Sequence, residues 1–143
     1  MQRKSIQRIL TAVDESPHSR RVVDRAVEMA EAFNARIILL HVRHKVPDIL
    51  GEPYYQSVLN KFMEKAEATT APLKQQLAES GVDFEVLILE GDSAEAIIVA
   101  AQDEKCDLVV MGTRGLSDFK GMALGSVSHK VLHGVNCMVL LVP

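Results

Sequence analysis

The sequence lacks the features that would commit it to metal, redox, membrane or nucleic-acid chemistry. Its two cysteines, Cys106 and Cys137, lie far apart and form no Cys-x-x-Cys pair, so neither a structural zinc cluster nor a thioredoxin-like site is supported. Cys137 falls in an apolar, strand-like run, where a buried thiol is the expected state. No stretch reaches the ~18 consecutive apolar residues of a membrane span. The basic residues are scattered and the net charge is −3, which argues against a general affinity for nucleic acid or acidic membranes. Basic residues open the chain, but Asp14 and Glu15 arrive before any signal-like apolar stretch develops. A cytoplasmic location is therefore expected.

Catalytic signatures are missing as well. A Walker A loop needs Gly-Lys-[Ser/Thr], and here Ser126 follows Gly125 directly. The dinucleotide fingerprint Gly-x-Gly-x-x-Gly is absent. His129 and His133 are four apart on a predicted helix and could share a metal, but the glutamate of His-Glu-x-x-His is missing. His41 and His44 form no recognisable ligand pair, and the expected role of these histidines is surface or half-buried hydrogen bonding. Ser128 and His129 are adjacent, so on a helix they point apart, and no Gly-x-Ser-x-Gly elbow exists. Glu90 and Asp92 flank Gly91 and read as strand-end solvation and helix capping rather than an acid–base pair.

What is present is a soluble, core-forming chain of 143 residues, 48% hydrophobic and 24% charged, which is most simply one domain, 1–143. No composition shift, internal repeat or low-complexity tract divides it. Ile6 to Val13 reads as a buried strand, followed by turn chemistry at Asp14-Glu15-Ser16-Pro17, with Ser16 the expected N-cap and Pro17 the first helical residue. Val22, Ala26, Ala30 and Phe33 recur at helical spacing, and Asn34 should end that helix. Arg36 to Val42 is a second strand, apolar on both faces. Residues 43–53, broken by Pro47, Gly51 and Pro53, read as a loop able to cover a site. A long helix follows, with Leu59, Phe62, Met63, Ala66, Leu73 and Leu77 on its apolar stripe; Pro72 should kink or divide it, and Gly81 should stop it. Phe84 to Leu89 is a third strand. Asp92 or Ser93 caps a helix whose Ile97, Ala100 and Ala101 face inward. Leu108 to Met111 is the fourth strand, Ser126 to His133 the last helix, and Met138 to Val142 the fifth strand. Crossovers long enough for helices imply parallel strands with right-handed connections. The expected fold is α/β, a doubly wound five-stranded parallel sheet in an α/β/α sandwich.

The most informative segment is Met111-Gly112-Thr113-Arg114-Gly115, followed after nine residues by Gly125-Ser126-Val127-Ser128. Strand, glycine loop and helix together form an arrangement in which backbone N–H groups and a helix N-terminus converge on an anion. Gly112 and Gly115 permit a tight turn and close approach to a ligand. Gly125 opens the helix, so the N–H groups of Ser126, Val127 and Ser128 can point at phosphate oxygens. The hydroxyls of Ser126 and Ser128 can add hydrogen bonds, Ser126 could reach a phosphate-bound Mg²⁺, and Arg114 could neutralise charge. If the first and fourth strands are neighbours, Asp14 ends beside Gly112, and its carboxylate can accept from ribose hydroxyls or a base. Geometry alone leaves open that the glycines only shape a turn and that Ser126 only caps a helix.

Together these features resemble the universal stress protein family over nearly the whole chain. The resemblance rests on Val13-Asp14-Glu15-Ser16 after the first strand, Leu40-His41-Val42 closing the second, and above all Gly112-x2-Gly115-x9-Gly125-Ser126. It implies a Rossmann-like fold of the adenine nucleotide alpha hydrolase type and ATP as ligand. It implies that Asp14 and the backbone around Ala12 and Val42 line an adenine and ribose pocket, with Met111 against the base. Gly112, Gly115, Gly125, Ser126, Val127 and Ser128 would then hold ribose and phosphates. It further implies a homodimer along the last strand, Cys137 to Val142, although Met138 stands where proline is frequent in the family. Only Arg114, Ser126 and Asp14 are candidates to assist hydrolysis and no base is evident, so binding with slow or negligible turnover is expected. A slow ATPase and a nucleotide-independent interaction module are the alternatives, and AMP or a cyclic nucleotide could replace ATP. Nucleotide occupancy is expected to order the loop from Thr113 to Met122 and to alter a surface offered to a protein partner.

Overall fold

The computed structural model describes residues 5–115 and 123–143. Five strands form one parallel sheet: β1 (Arg8–Val13), β2 (Arg36–Arg43), β3 (Phe84–Glu90), β4 (Leu108–Gly112) and β5 (Met138–Val142). Their order across the sheet is β3-β2-β1-β4-β5. All four pairings are parallel, with Leu10 opposite both Ile38 and Val109, and Leu108 opposite Met138. The helices α1 (Ser19–Phe33), α2 (Tyr54–Ser80), α3 (Ser93–Asp103) and α4 (Ser126–Gly134) supply the crossovers.

Because side chains alternate along a strand, the apolar strands feed two cores. Ile9, Ile37, Leu39 and Val110 pack with Val22, Val23 and Ala26 of α1 and Leu73 and Leu77 of α2. Leu10, Ile38, Leu40 and Val109 pack on the other face with Ala94, Ile97 and Ala101 of α3 and Val131 of α4. The doubly wound α/β/α sandwich expected from the sequence is therefore the fold. Sequence order β1-α1-β2 runs outward to one edge, and the chain then returns to β4 on the other side of β1. That reversal between β1 and β4 is the switch point at which such sheets bind ligands.

Several boundaries differ from expectation for local reasons. β1 begins at Arg8 rather than Ile6, since the Asp107 carboxylate takes the N–H groups of Gln7 and Arg8 at 2.9 and 3.2 Å. Ser16 and Pro17 do not start α1. The Asp14 carboxylate accepts the Ser16 N–H (2.9 Å), and the Ser16 carbonyl accepts the Ser19 N–H (3.1 Å), so the turn runs on and the helix starts at Ser19. Asn34 ends α1 in the left-handed region at φ 53°, a conformation asparagine tolerates. Pro72 neither divides nor ends α2, which is one helix of 27 residues. Pro72 lies on the exposed side, where water can satisfy the carbonyl one turn earlier that loses its helical partner. Met63 is 41% exposed, so the buried stripe of α2 is carried by Ala66, Leu73 and Leu77. Asp92 caps α3, accepting the Glu95 N–H at 3.0 Å, and Glu90 pairs with Arg43 at 3.2 Å, the capping and strand-end roles expected of both.

Candidate functional site at the sheet switch point

At the carboxyl ends of β1 and β4 the strands diverge toward opposite helix layers, leaving an open cleft whose free space, mouth included, is ≈ 630 Å³. One wall is the end of β1 and the start of α1: Ala12, Val13, Asp14, Ser16, His18, Ser19 and Val22. The opposite wall is Met111, Gly112, Arg114 and Gly115 after β4, with Val127 and Ser128 of α4. Leu40 and Val42 of β2, with Ser93 and Ile97 of α3, complete an apolar side suited to a flat ring.

The β1 wall is built by a compact hydrogen-bonded turn. The Asp14 N–H donates to Ser19 Oγ at 3.1 Å, and that hydroxyl lies 2.9 Å from the Asp14 carbonyl and 3.2 Å from Asp14 Oδ1. The Ser16 N–H donates to the same Oδ1. One carboxylate oxygen is thus committed to orienting the group at the strand end, where Asp14 lines the cleft.

The β4 wall is a closed loop of backbone bonds. The Thr113 N–H donates to the Val142 carbonyl (3.1 Å), and the Thr113 carbonyl accepts from the Gly125 N–H (2.6 Å) and from Ser128 Oγ (2.7 Å). Ser128 is 2% exposed and its hydroxyl is also 3.1 Å from the Gly125 carbonyl, so it pins the two glycine segments together. The N-cap of α4 is Gly125, which has no side chain to offer as a cap. The first turn thus sets the positive end of the helix dipole beside the glycine loop, where negative charge is favoured.

His18 joins the two walls. Its Nε2–H donates to the Val142 carbonyl at 2.8 Å, the oxygen that also receives Thr113. A Cβ on Gly112 would stand 3.2 Å from His18 Cδ2 and 3.3 Å from the Arg114 carbonyl. Glycine at 112 thus answers to close approach rather than to a special φ, since a Cβ would ask the ring or the carbonyl to give by a few tenths of an ångström.

Of the residues singled out from the sequence, Ala12, Asp14, Val42, Met111, Gly112, Arg114, Gly115, Val127 and Ser128 line this cleft. Gly125 and Ser126 are outside the lining and form the start of α4 beside it. Ser126 is the first helical residue, not the cap. His18, Ser19, Val22, Ser93 and Ile97 were not anticipated. Asp14, Ser16 and Ser19 carried a legible signal in their spacing, whereas the partner of His18 lies 124 residues away and no local pattern announces it. None of residues 43–53, expected to cover a site, is in the lining; Asp48–Leu50 form a single 3-10 turn there, with Ile49 91% exposed. The expected ordering of the loop to Met122 concerns residues 116–122, which lie outside the described residues.

The other weighed residues are accounted for structurally. His41 is buried and donates from Nδ1 to the Val13 carbonyl at 3.1 Å, fixing the end of β1. Ser128 is buried and His129 exposed, so they form no nucleophile pair. Among the described residues no three histidine, cysteine, aspartate or glutamate side chains gather to hold a metal, and no helix is long and apolar enough to cross a membrane.

The universal stress protein family model matches residues 5–143. A universal stress protein of Thermus aquaticus, encoded in the 3' region of a QAH/OAS sulfhydrylase, is 44% identical over 135 residues, covering 94% of this chain and 96% of that protein. The chain belongs to the universal stress protein family. Among solved structures, MJ0577 of Methanocaldococcus jannaschii superposes with a TM-score of 0.86 at 27% identity, covering 97% of this chain and 96% of that one. A universal stress protein in complex with cAMP superposes at 0.78 with 28% identity, over 98% and 99% of the two chains. The family resemblance read from the glycine pattern thus holds across the whole fold.

A second cleft at the opposite, amino-terminal end of β4 and β5 holds both cysteines, beside Lys105, Val135 and Asn136. Burial pushes the Cys106 thiol up to about 12, outweighing the nearby Arg8 guanidinium, and burial raises Cys137 as well. Little thiolate exists at neutral pH, so alkylation of Cys106 by iodoacetamide at pH 8 is expected to be far slower in the folded protein than in urea. Because the folded value is raised, its stabilisation is complete below the ordinary thiol range, about 8.5, and is lost as pH climbs toward 12. Equal alkylation rates in folded and unfolded protein would contradict this burial.

Proposed function

We propose that this chain binds ATP, with Mg²⁺ carried on its phosphates, in the cleft at the ends of β1 and β4, and that the nucleotide acts as a regulatory ligand in a stress response. The observation that carries the reading is the pairing of opposite chemistries across one cleft: the Asp14 carboxylate on the β1 side, and the glycine loop with the α4 N-terminus on the β4 side. A nucleotide presents the matching pair, hydroxyls and a base at one end and phosphates at the other. The cAMP complex of a related universal stress protein supports an adenine nucleotide. Ala12, Val42 and Met111, with Leu40 and Ile97, would take the adenine ring. Asp14 would accept from ribose hydroxyls, and Gly112, Gly115, Gly125, Ser126, Val127 and Ser128 would hold ribose and phosphates. Arg114 would neutralise their charge, and Ser126 would be the one protein ligand offered to the magnesium ion. The group supplies charge and shape to a recognition surface, and no residue of this chain is assigned as a catalytic base.

The same reading places the protein in the cytoplasm as a single-domain chain acting through a protein partner. It also assigns a homodimer along Cys137 to Val142. β5 is an edge strand whose Met138 is 55% exposed, and an open apolar edge calls for a cover. Methionine at this place, unlike proline, retains an N–H for pairing.

Calorimetric titration of nucleotide-stripped protein with ATP and Mg²⁺, then ADP and AMP, tests the proposal. Binding should weaken as phosphates are removed, and Asp14→Asn should weaken all three by roughly tenfold to a hundredfold, the loss of a charge-assisted hydrogen bond. The asparagine oxygen can still accept the Ser16 N–H, so the turn survives. Absence of heat with every adenine nucleotide would favour an interaction module. Sustained phosphate release lost in Ser126→Ala would favour a slow ATPase.

A further inference from the structure

We infer that α4 carries a second, independent ligand site: a two-histidine chelate for a divalent transition metal at His129 and His133. Both side chains are exposed, one helical turn apart, and their ring centroids are 4.6 Å apart with the planes inclined at 66°. Neither lines the switch-point cleft. An imidazole nitrogen binds such a metal at about 2.0–2.1 Å, which puts each ring centre about 3.1–3.2 Å from the ion. Two such arms with centroids 4.6 Å apart subtend about 95° at the metal, between the octahedral and tetrahedral values. The two rings therefore already stand at the separation that a chelate requires. Rotation of each exposed ring about its broad χ2 well brings the nitrogens onto the ion.

The place on the helix favours a cation. His133 is in the last turn of α4, at the carbonyl end of the helix dipole, where positive charge is stabilised. With no third acidic, cysteine or histidine ligand gathered among the described residues, water completes the coordination shell and the ion exchanges freely. Imidazole selects Zn²⁺, Ni²⁺ and Cu²⁺ over Mg²⁺ and Ca²⁺, so this site and a phosphate-borne magnesium ion do not compete.

Tag-free, metal-stripped protein is titrated with Ni²⁺ alone by calorimetry, and imidazole resonances are followed by NMR. One ion per chain should bind, broadening the signals of His129 and His133 before those of His18, His41 and His44. His129→Gln and His133→Gln should each weaken binding at least about tenfold, because removing one arm turns an intramolecular contact back into a bimolecular one. His44→Gln should bind as the parent does, and excess Mg²⁺ should not displace Ni²⁺. Parent-like affinity in either glutamine variant, or no Ni²⁺ binding at millimolar concentration, overturns the inference. Both histidines are exposed, so the variants should keep the parent's thermal midpoint without metal, while only the parent gains stability when Ni²⁺ is added.

Discussion

Gly125→Val is expected to abolish ATP binding, a loss of at least about a hundredfold, while the protein stays folded. The backbone at Gly125 has φ −74° and ψ 167°, an extended conformation that a β-branched residue adopts without strain. Its main-chain bonds, to the Thr113 carbonyl and from the His129 N–H, do not depend on the side chain. Backbone conformation thus gives no reason for glycine at this buried position, and the proposed ligand does. In the proposed site, phosphate oxygens approach the N–H groups that follow this residue, and two methyl groups would occupy that space. Gly125→Ala should fall between the two. Circular dichroism and a thermal midpoint near that of the parent establish the fold, and calorimetry reads the affinity. Unchanged affinity in a folded valine variant would place the nucleotide elsewhere on the molecule.

The largest expected effect on stability is at Leu40. It is fully buried in the middle of β2, opposite Ala12 on one side and Leu87 on the other, in the core under α3 and α4. It also lines the cleft. Truncation to alanine should cost about 2–5 kcal/mol, the transfer term plus the cavity left behind. Against a total of about 5–15 kcal/mol that is a large share. The urea midpoint should fall with little change in slope, since the surface exposed on unfolding is nearly the same. Ile49→Ala, at a side chain 91% exposed, should stay within about 0.5 kcal/mol of the parent. A Leu40→Ala loss below about 1 kcal/mol would show that the core under the cleft is not packed as described. The two variants separate the layers of the molecule, one removing a ligand contact from a sound fold and the other weakening the fold beneath the site.

Much of the protein was legible along the chain because it is written locally. Apolar runs such as Arg36 to Val42 and the spacing of Val22, Ala26 and Ala30 specify strand and helix through side-chain periodicity. Asn34, Gly81 and Asp92 act as punctuation within a turn of where they stand. Length between strands dictated parallel crossovers, and so the α/β/α sandwich. The glycine spacing after β4 marked the family, and close approach there disfavours a side chain, as the His18 ring beside Gly112 illustrates.

Failures occurred where a distant or competing partner decided the outcome. Pro72 carries a helix-breaking signal, yet α2 continues through it: Pro72 lies on the exposed side and Leu73 and Leu77 are packed in the core. Ser16 looked like a cap until the Asp14 carboxylate claimed its N–H. The Ser128 hydroxyl also has a structural task that its spacing does not announce, joining Thr113 to Gly125. Sequence alone determined the elements, their parallel order and the family, since these follow from periodicity, crossover length and steric exclusion within a few residues. Tertiary structure alone decided that β1 lies beside β4, that Asp14 faces the glycine loop, and that His18 ties both walls to Val142. Those facts depend on which chain segments the folded sheet and helices bring within a few ångströms, and spacing along a sequence does not encode distance in space.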